Sequence, residues 1–131
     1  PIELDKKPDE PVAMDAMTFP GFDAKEAMNR WGGETELVEE LALQFANEAP
    51  DNLEQIIRAL DKRDFAEVDV IANGMVSAAG NLSATSVDMA LRHLIEVAKE
   101  KDVQAAFEQV EQLTWLIPKF RLALMAWSES R

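Results

Sequence analysis

From Phe22 onward, apolar positions recur at helical spacing almost without a break. A short first helix is predicted over about 23–31, with Ala24, Ala27, Met28 and Trp31 on one side and Gly32-Gly33 stopping it. The next stretch, 34–62, steps Leu37, Leu41 and Phe45 by fours and then meets Pro50, which lacks an N–H and must kink or break a helix. Asp51 and Glu54 have capping-box spacing, and Leu53, Ile56, Ile57 and Leu60 form a stripe beyond them. The pattern therefore allows one kinked helix or two. A third helix opens at Asp64, with Glu67 three residues on and Phe65, Val68, Ala72, Met75 and Ala79 as its core face. Gly80-Asn81 weakens it where a turn is wanted. The fourth runs from Ser83 or Thr85 to Lys101, with Val87, Leu91, Leu94 and Ala98 inward. The fifth carries the clearest seam: Val103, Ala106, Val110, Leu113, Ile117, Phe120, Leu124 and Trp127, with a kink expected at Pro118. No run alternates well enough to argue a strand. The expected fold is all-α: an antiparallel up-down four-helix bundle over 21–131 with a short extra N-terminal helix.

Residues 1–20 read differently. Pro1, Pro8, Pro11 and Pro20 interrupt them and five carboxylates charge them, so an extended acidic linker is expected. The chain starts without methionine, which suggests processing or excision from something longer. At 131 residues and 47% hydrophobic, one domain with an ordinary core is affordable. Cysteine is absent, so disulfides, thiolate metal sites and thiol catalysis are excluded. The N-terminus lacks the basic and apolar regions of a signal peptide, and no apolar run is long enough to span a bilayer, so the cytoplasm is the expected location.

The phrase from Asp64 to Ala84, DFAEVDVIANGMVSAAGNLSA, resembles the central helix of histidine-phosphotransfer (HPt) domains. That family reads as an acidic start, an apolar pair, Ala-His-x-Leu-Lys-Gly, then small residues. Ala72 matches the alanine, Met75 replaces the leucine, and Ala78, Ala79, Gly80, Asn81, Leu82 and Ala84 continue the tail. Upstream, Gly32-Gly33-Glu34-x-Glu36-Leu37 with Phe45 and Pro50 is similar to the family's second-helix phrase. Downstream, Ile95-Glu96, Ala98 and Asp102 are similar to its Leu-Glu-x-Ala and closing acid. The resemblance covers about residues 22–112 and implies the bundle fold, a signalling role in a two-component phosphorelay, and a receiver domain or histidine kinase as partner.

The departures fall on the chemistry. Asn73 stands at the phospho-acceptor position, Val76 at the lysine and Ser77 at the glycine. An amide nitrogen is not a nucleophile at neutral pH, because its lone pair is delocalised into the carbonyl. Val76 also removes the cation that would neutralise phosphate oxygens. The expected function is thus a pseudo-phosphotransfer interaction module without enzymatic activity. Two alternatives are a working phosphotransferase altered at Asn73 or using His93, and a purely structural helical dimerisation domain.

Two surfaces follow from the helical spacing. Ala66, Val70, Asn73 and Ser77, with Gly74 and Val76 alongside, form a nearly uncharged face opposite the core side of the third helix. Such a face is a candidate receiver-docking patch, or else it is covered by the linker or another helix. On the last helix, Trp115, Leu116, Leu122 and Met125 are apolar off the seam, which makes them candidates for self-association in a homodimer, or for a stretched core.

Net charge is −12, from 25 acidic and 13 basic residues, without a Lys/Arg cluster. Nucleic acid and anionic membrane are therefore not expected partners, whereas a basic or mixed-charge protein surface is. One histidine and no cysteine leave no zinc-ligand spacing, and a calcium loop, a phosphate-binding loop and a Gly-x-Ser-x-Gly elbow are missing, so neither metal nor cofactor is expected.

Overall fold

The computed structural model describes residues 18–19 and 22–130. The chain there is all-α, with α1 over Ala24–Arg30, α2 over Thr35–Asp61, α3 over Phe65–Asn81, α4 over Thr85–Lys99 and α5 over Val103–Ser130. The expected linker lies outside the described residues except at its end. There Thr18–Phe19 (β1) pairs antiparallel with Phe22–Asp23 (β2), Thr18 opposite Asp23 and Phe19 opposite Phe22. Two-residue strands are too short to show a period of two, which is why alternation gave no sign of them.

The helices start and stop for local reasons. Asp23, Asp64 and Asp102 each accept a hydrogen bond from the backbone N–H three residues on, at 3.0, 3.1 and 3.1 Å, satisfying a donor that the first turn would otherwise leave bare. Three turns join the long helices in the same way. Arg63, Ser83 and Lys101 have φ of 61°, 55° and 59°. The N–H of each bonds back three residues, and the following residue bonds back five: Asp64 to Ala59, Ala84 to Ala79, Asp102 to Val97. These are Schellman closures in which the closing residue also precedes the next helix. Only three residues separate consecutive long helices at each turn, which keeps them side by side.

α2 is one helix, not two. Pro50 sits inside it and is exposed, so its missing N–H forgoes one bond while Ala46, Ala49 and Leu53 around it stay buried. The buried line of α2 differs from the expected Leu37-Leu41 step: Val38, Ala42, Phe45, Ala46 and Ala49 face the core, and Leu37 and Leu41 are half-buried. Ile57, expected in the stripe, is exposed, whereas Leu53, Ile56 and Leu60 are buried. Alanines carry the close approach here, and a pattern that weighs large residues overlooks them. On α3, Val68, Ala72, Met75 and Ala79 are buried and Phe65 is half-buried. On α4, Val87, Leu91, Leu94 and Ala98 are buried. The α5 seam is buried from Ala106 to Trp127, with Val103 half-buried, and α5 runs unbroken through Pro118.

α2 packs on α3 and α5, and α4 packs on α3 and α5. Phe45 of α2 meets Phe120 of α5 edge-on at 5.8 Å, Arg121 donates to the Asn47 side chain at 2.8 Å, and Ser128 donates to Glu39. The N-terminal segment closes one end. Phe22 is 1% exposed and stands edge-on to Phe120 and Trp127 at 5.4 and 5.5 Å. Three hydrogen bonds hold the segment to the α3–α4 turn: Asp23 N–H to the Ser83 carbonyl at 3.0 Å, Trp31 Nε1–H to the Asn81 carbonyl at 2.9 Å, and Ser83 Oγ–H to Glu26 Oε1 at 2.6 Å.

Candidate functional site on the outer face of α3

α3 buries Val68, Ala72, Met75 and Ala79, and so turns Ala66, Val70, Asn73, Gly74 and Ser77 outward. All five are exposed, Val70 to 66%. Val76 departs from that facing. It is half-buried and packs against the core at the α4 side, one position round from the exposed strip. The Asn73 side chain folds back on its own helix, donating through Nδ2 to the Asp69 carbonyl at 2.8 Å. Its oxygen therefore remains for a partner, as an acceptor rather than a nucleophile.

Nothing among the described residues requires glycine at position 74. A Cβ built there meets nothing within 4 Å, and its φ is not left-handed. Glycine inside a helix costs about 0.5–1 kcal/mol relative to alanine. A residue that weakens the helix while facing open space leaves room for something outside the chain to approach the backbone.

Two clefts flank this strip. One, of about 450 Å³, lies between α2 and α3, with Leu41, Phe45, Val70, Gly74 and Met75 in its wall and Trp31 at one end. Its polar rim among the described residues is Gln44, Glu48, Asn52 and Asn81, none of them a cation. The other, of about 420 Å³, runs toward α1 and α4 past Val76, Ser77 and Gly80. Its cations, Arg30 and Arg92, are paired with Glu26 at 3.4 Å and Asp88 at 3.1 Å. The α2 wall was missed from sequence. Its signal is Leu41, a large residue off the buried Val38-Ala42-Phe45 line and therefore available to line a groove.

The remaining candidates lie elsewhere. His93 is exposed on α4, in a shallow cleft shared with Met89, Gln109 and Leu116. The α5 residues do not form one patch. Trp115 and Leu122 are each 66% exposed and share a hollow with Thr114, Pro118 and Lys119. Met125, 45% exposed, lines a groove beside Leu43 of α2, while Leu116 is half-buried on the α4 side. Among the described residues, no group of His, Asp and Glu could hold a metal ion, and no helix is long and apolar enough to cross a membrane.

No protein-family model, curated protein or solved structure matches this chain.

Proposed function

We propose that the chain is an HPt-like signalling domain that docks a receiver domain or histidine kinase of a two-component system without accepting phosphate. In this reading α2 to α5 form an antiparallel up-down four-helix bundle, and α1 is the short extra helix. The α2–α5 contacts Phe45–Phe120 and Arg121–Asn47 support that arrangement. The observation that carries the docking reading is the exposed, uncharged strip Ala66-Val70-Asn73-Gly74-Ser77 on a chain of net charge −12. Val70 beside the α2–α3 cleft offers an apolar anchor, Gly74 permits close backbone approach, and Asn73 offers a hydrogen-bond acceptor. Phosphoryl transfer is absent from this reading because Asn73 supplies no nucleophile and Val76 no counter-charge. The cations of the flanking cleft, Arg30 and Arg92, are already engaged by carboxylates.

Titration with a receiver domain, followed by calorimetry, tests the docking. Val70→Asp sets an unpaired charge in a desolvated contact and should weaken binding at least tenfold, by an effect of several kcal/mol at its upper end. Thermal stability should stay within ~0.5 kcal/mol, since Val70 is exposed. Undiminished binding by folded Val70→Asp would sink the proposed face. Incubation with a phosphorylated receiver should leave no acid-labile label on this chain, and Asn73→His alone should restore little, because the lysine position stays empty. Stoichiometric label lost in His93→Ala would instead establish a phosphotransferase acting through α4.

A further inference from the structure

We infer that α5 carries a second, independent interface, through which two copies of this chain pair about a two-fold axis near Pro118 and Lys119. Trp115 and Leu122 are two of the most exposed large apolar residues in the described chain, each at 66%. They stand seven positions apart, which sets them about 10.5 Å apart along the axis and roughly 20° apart around it. Between them is a hollow lined by Thr114, Pro118 and Lys119. The face is thus a knob, a hollow and a knob, centred between residues 118 and 119. A two-fold axis at that centre brings Trp115 of each copy onto Leu122 of the other. A closed dimer needs a self-complementary patch of this kind, in which the same residues meet in exchanged roles.

Charge permits the same occupant. Between Glu111 and Glu129, α5 has no acidic residue; Lys119 and Arg121 are its charges, and Arg121 is held by Asn47. The Lys119 ammonium lies over its own Trp115 ring, 5.9 Å from the centroid, so its stem runs along apolar surface. Two chains of net charge −12 can therefore meet here with their carboxylates kept out of the contact. The size is adequate. Two tryptophans, two leucines, two Pro118 rings and two lysine stems together reach on the order of 1,000 Å², where specific interfaces begin.

The test is sedimentation of the full chain at micromolar to tens-of-micromolar concentration, at low and high salt. A reversible dimer is expected, tighter at high salt because ions screen the repulsion between the acidic bodies. Leu122→Glu should weaken it at least tenfold with the helical circular dichroism unchanged. The chain contains no cysteine, so single cysteines report the register directly. Lys119→Cys, near the axis, should form an intermolecular disulfide much faster than Glu67→Cys on α3, because a disulfide needs Cα atoms within about 7 Å. A monomer in both salts overturns the inference. So does a folded Lys119→Cys that cross-links no faster than Glu67→Cys, and this readout stands even if Leu122→Glu fails to fold.

Discussion

Arg63, Ser83 and Lys101 share a left-handed backbone at the three turns between long helices, yet none is glycine. An L side chain there costs about 1–2 kcal/mol, and each turn offsets it differently. Arg63 reaches back with its guanidinium to the Leu60 carbonyl at 2.8 Å, and Ser83 is buried and donates to Glu26. Lys101 is exposed and does neither. Lys101→Gly should therefore stabilise the chain by about 0.5–1 kcal/mol, after the larger entropy of glycine in the unfolded state is subtracted. Ser83→Gly should not, because it gives up a buried hydrogen bond. Thermal melts of the two variants would show Lys101→Gly about 2–5 °C above the parent; equal shifts for both would refute this accounting. Gly74 poses the converse case. Gly74→Ala should raise stability by about 0.5–1 kcal/mol, since the added Cβ enters open space, and should weaken receiver binding by crowding the backbone approach. An alanine variant that is more stable and binds equally well would mean that the partner does not use this glycine.

α1 with β2 is the element whose attachment differs most from the rest: the Phe22 ring, the buried Ala24 and Ala27 and three hydrogen bonds hold it, rather than a long seam. Phe22→Ala removes a fully buried ring from between Phe120 and Trp127 and should cost about 3–5 kcal/mol. Hydrogen exchange should then show 22–31 opening before α3 and α4. If the whole chain melts as one unit at the lower temperature, this segment is part of the cooperative core instead. The contrast between elements also explains what the sequence could disclose. The α5 seam was legible because large residues at three- and four-residue steps map onto a buried stripe. The α3 core face and the Asp64 cap were legible for similar reasons. α2 misled at Leu37, Leu41 and Ile57 because Ala42, Ala46 and Ala49, small enough to let helices approach, carry the burial. The β1–β2 pair left no periodic trace, and turns built on Arg63, Ser83 and Lys101 lack the glycine that usually announces them. At the candidate site, the outward facing of Val70, Asn73, Gly74 and Ser77 followed from helical geometry. Val76 did not, because it lies at the edge of the arc, where the position of α4 decides burial, and that position is a tertiary fact. The same holds for Arg30 and Arg92, which the fold brings to one cleft from distant parts of the chain.

For the molecule as a whole, the two proposed surfaces lie on helices that share neighbours: α3 and α5 each pack mainly against α2 and α4. Pairing through α5 therefore leaves the α3 strip of both copies free, and a dimer would present two docking faces. The two associations should also respond to salt with opposite signs. Docking joins a chain of net charge −12 to a basic or mixed-charge partner, so added salt screens attraction and should weaken it. Self-association joins two like-charged bodies through an apolar face, so the same salt removes repulsion and should strengthen it. Saturating the protein with a receiver domain should give a complex of two chains and two receivers, stable at intermediate ionic strength. Leu122→Glu should convert it to one and one while each site keeps its affinity, because Leu122 is remote from the α3 strip in the packing order. Val70→Asp should do the reverse, abolishing receiver binding and leaving the dimer. Multi-angle light scattering of the parent and both variants, with and without receiver, reads all of these states. A receiver that dissociates the parent dimer would mean the faces overlap, and the assignment of docking to α3 and pairing to α5 would have to be abandoned.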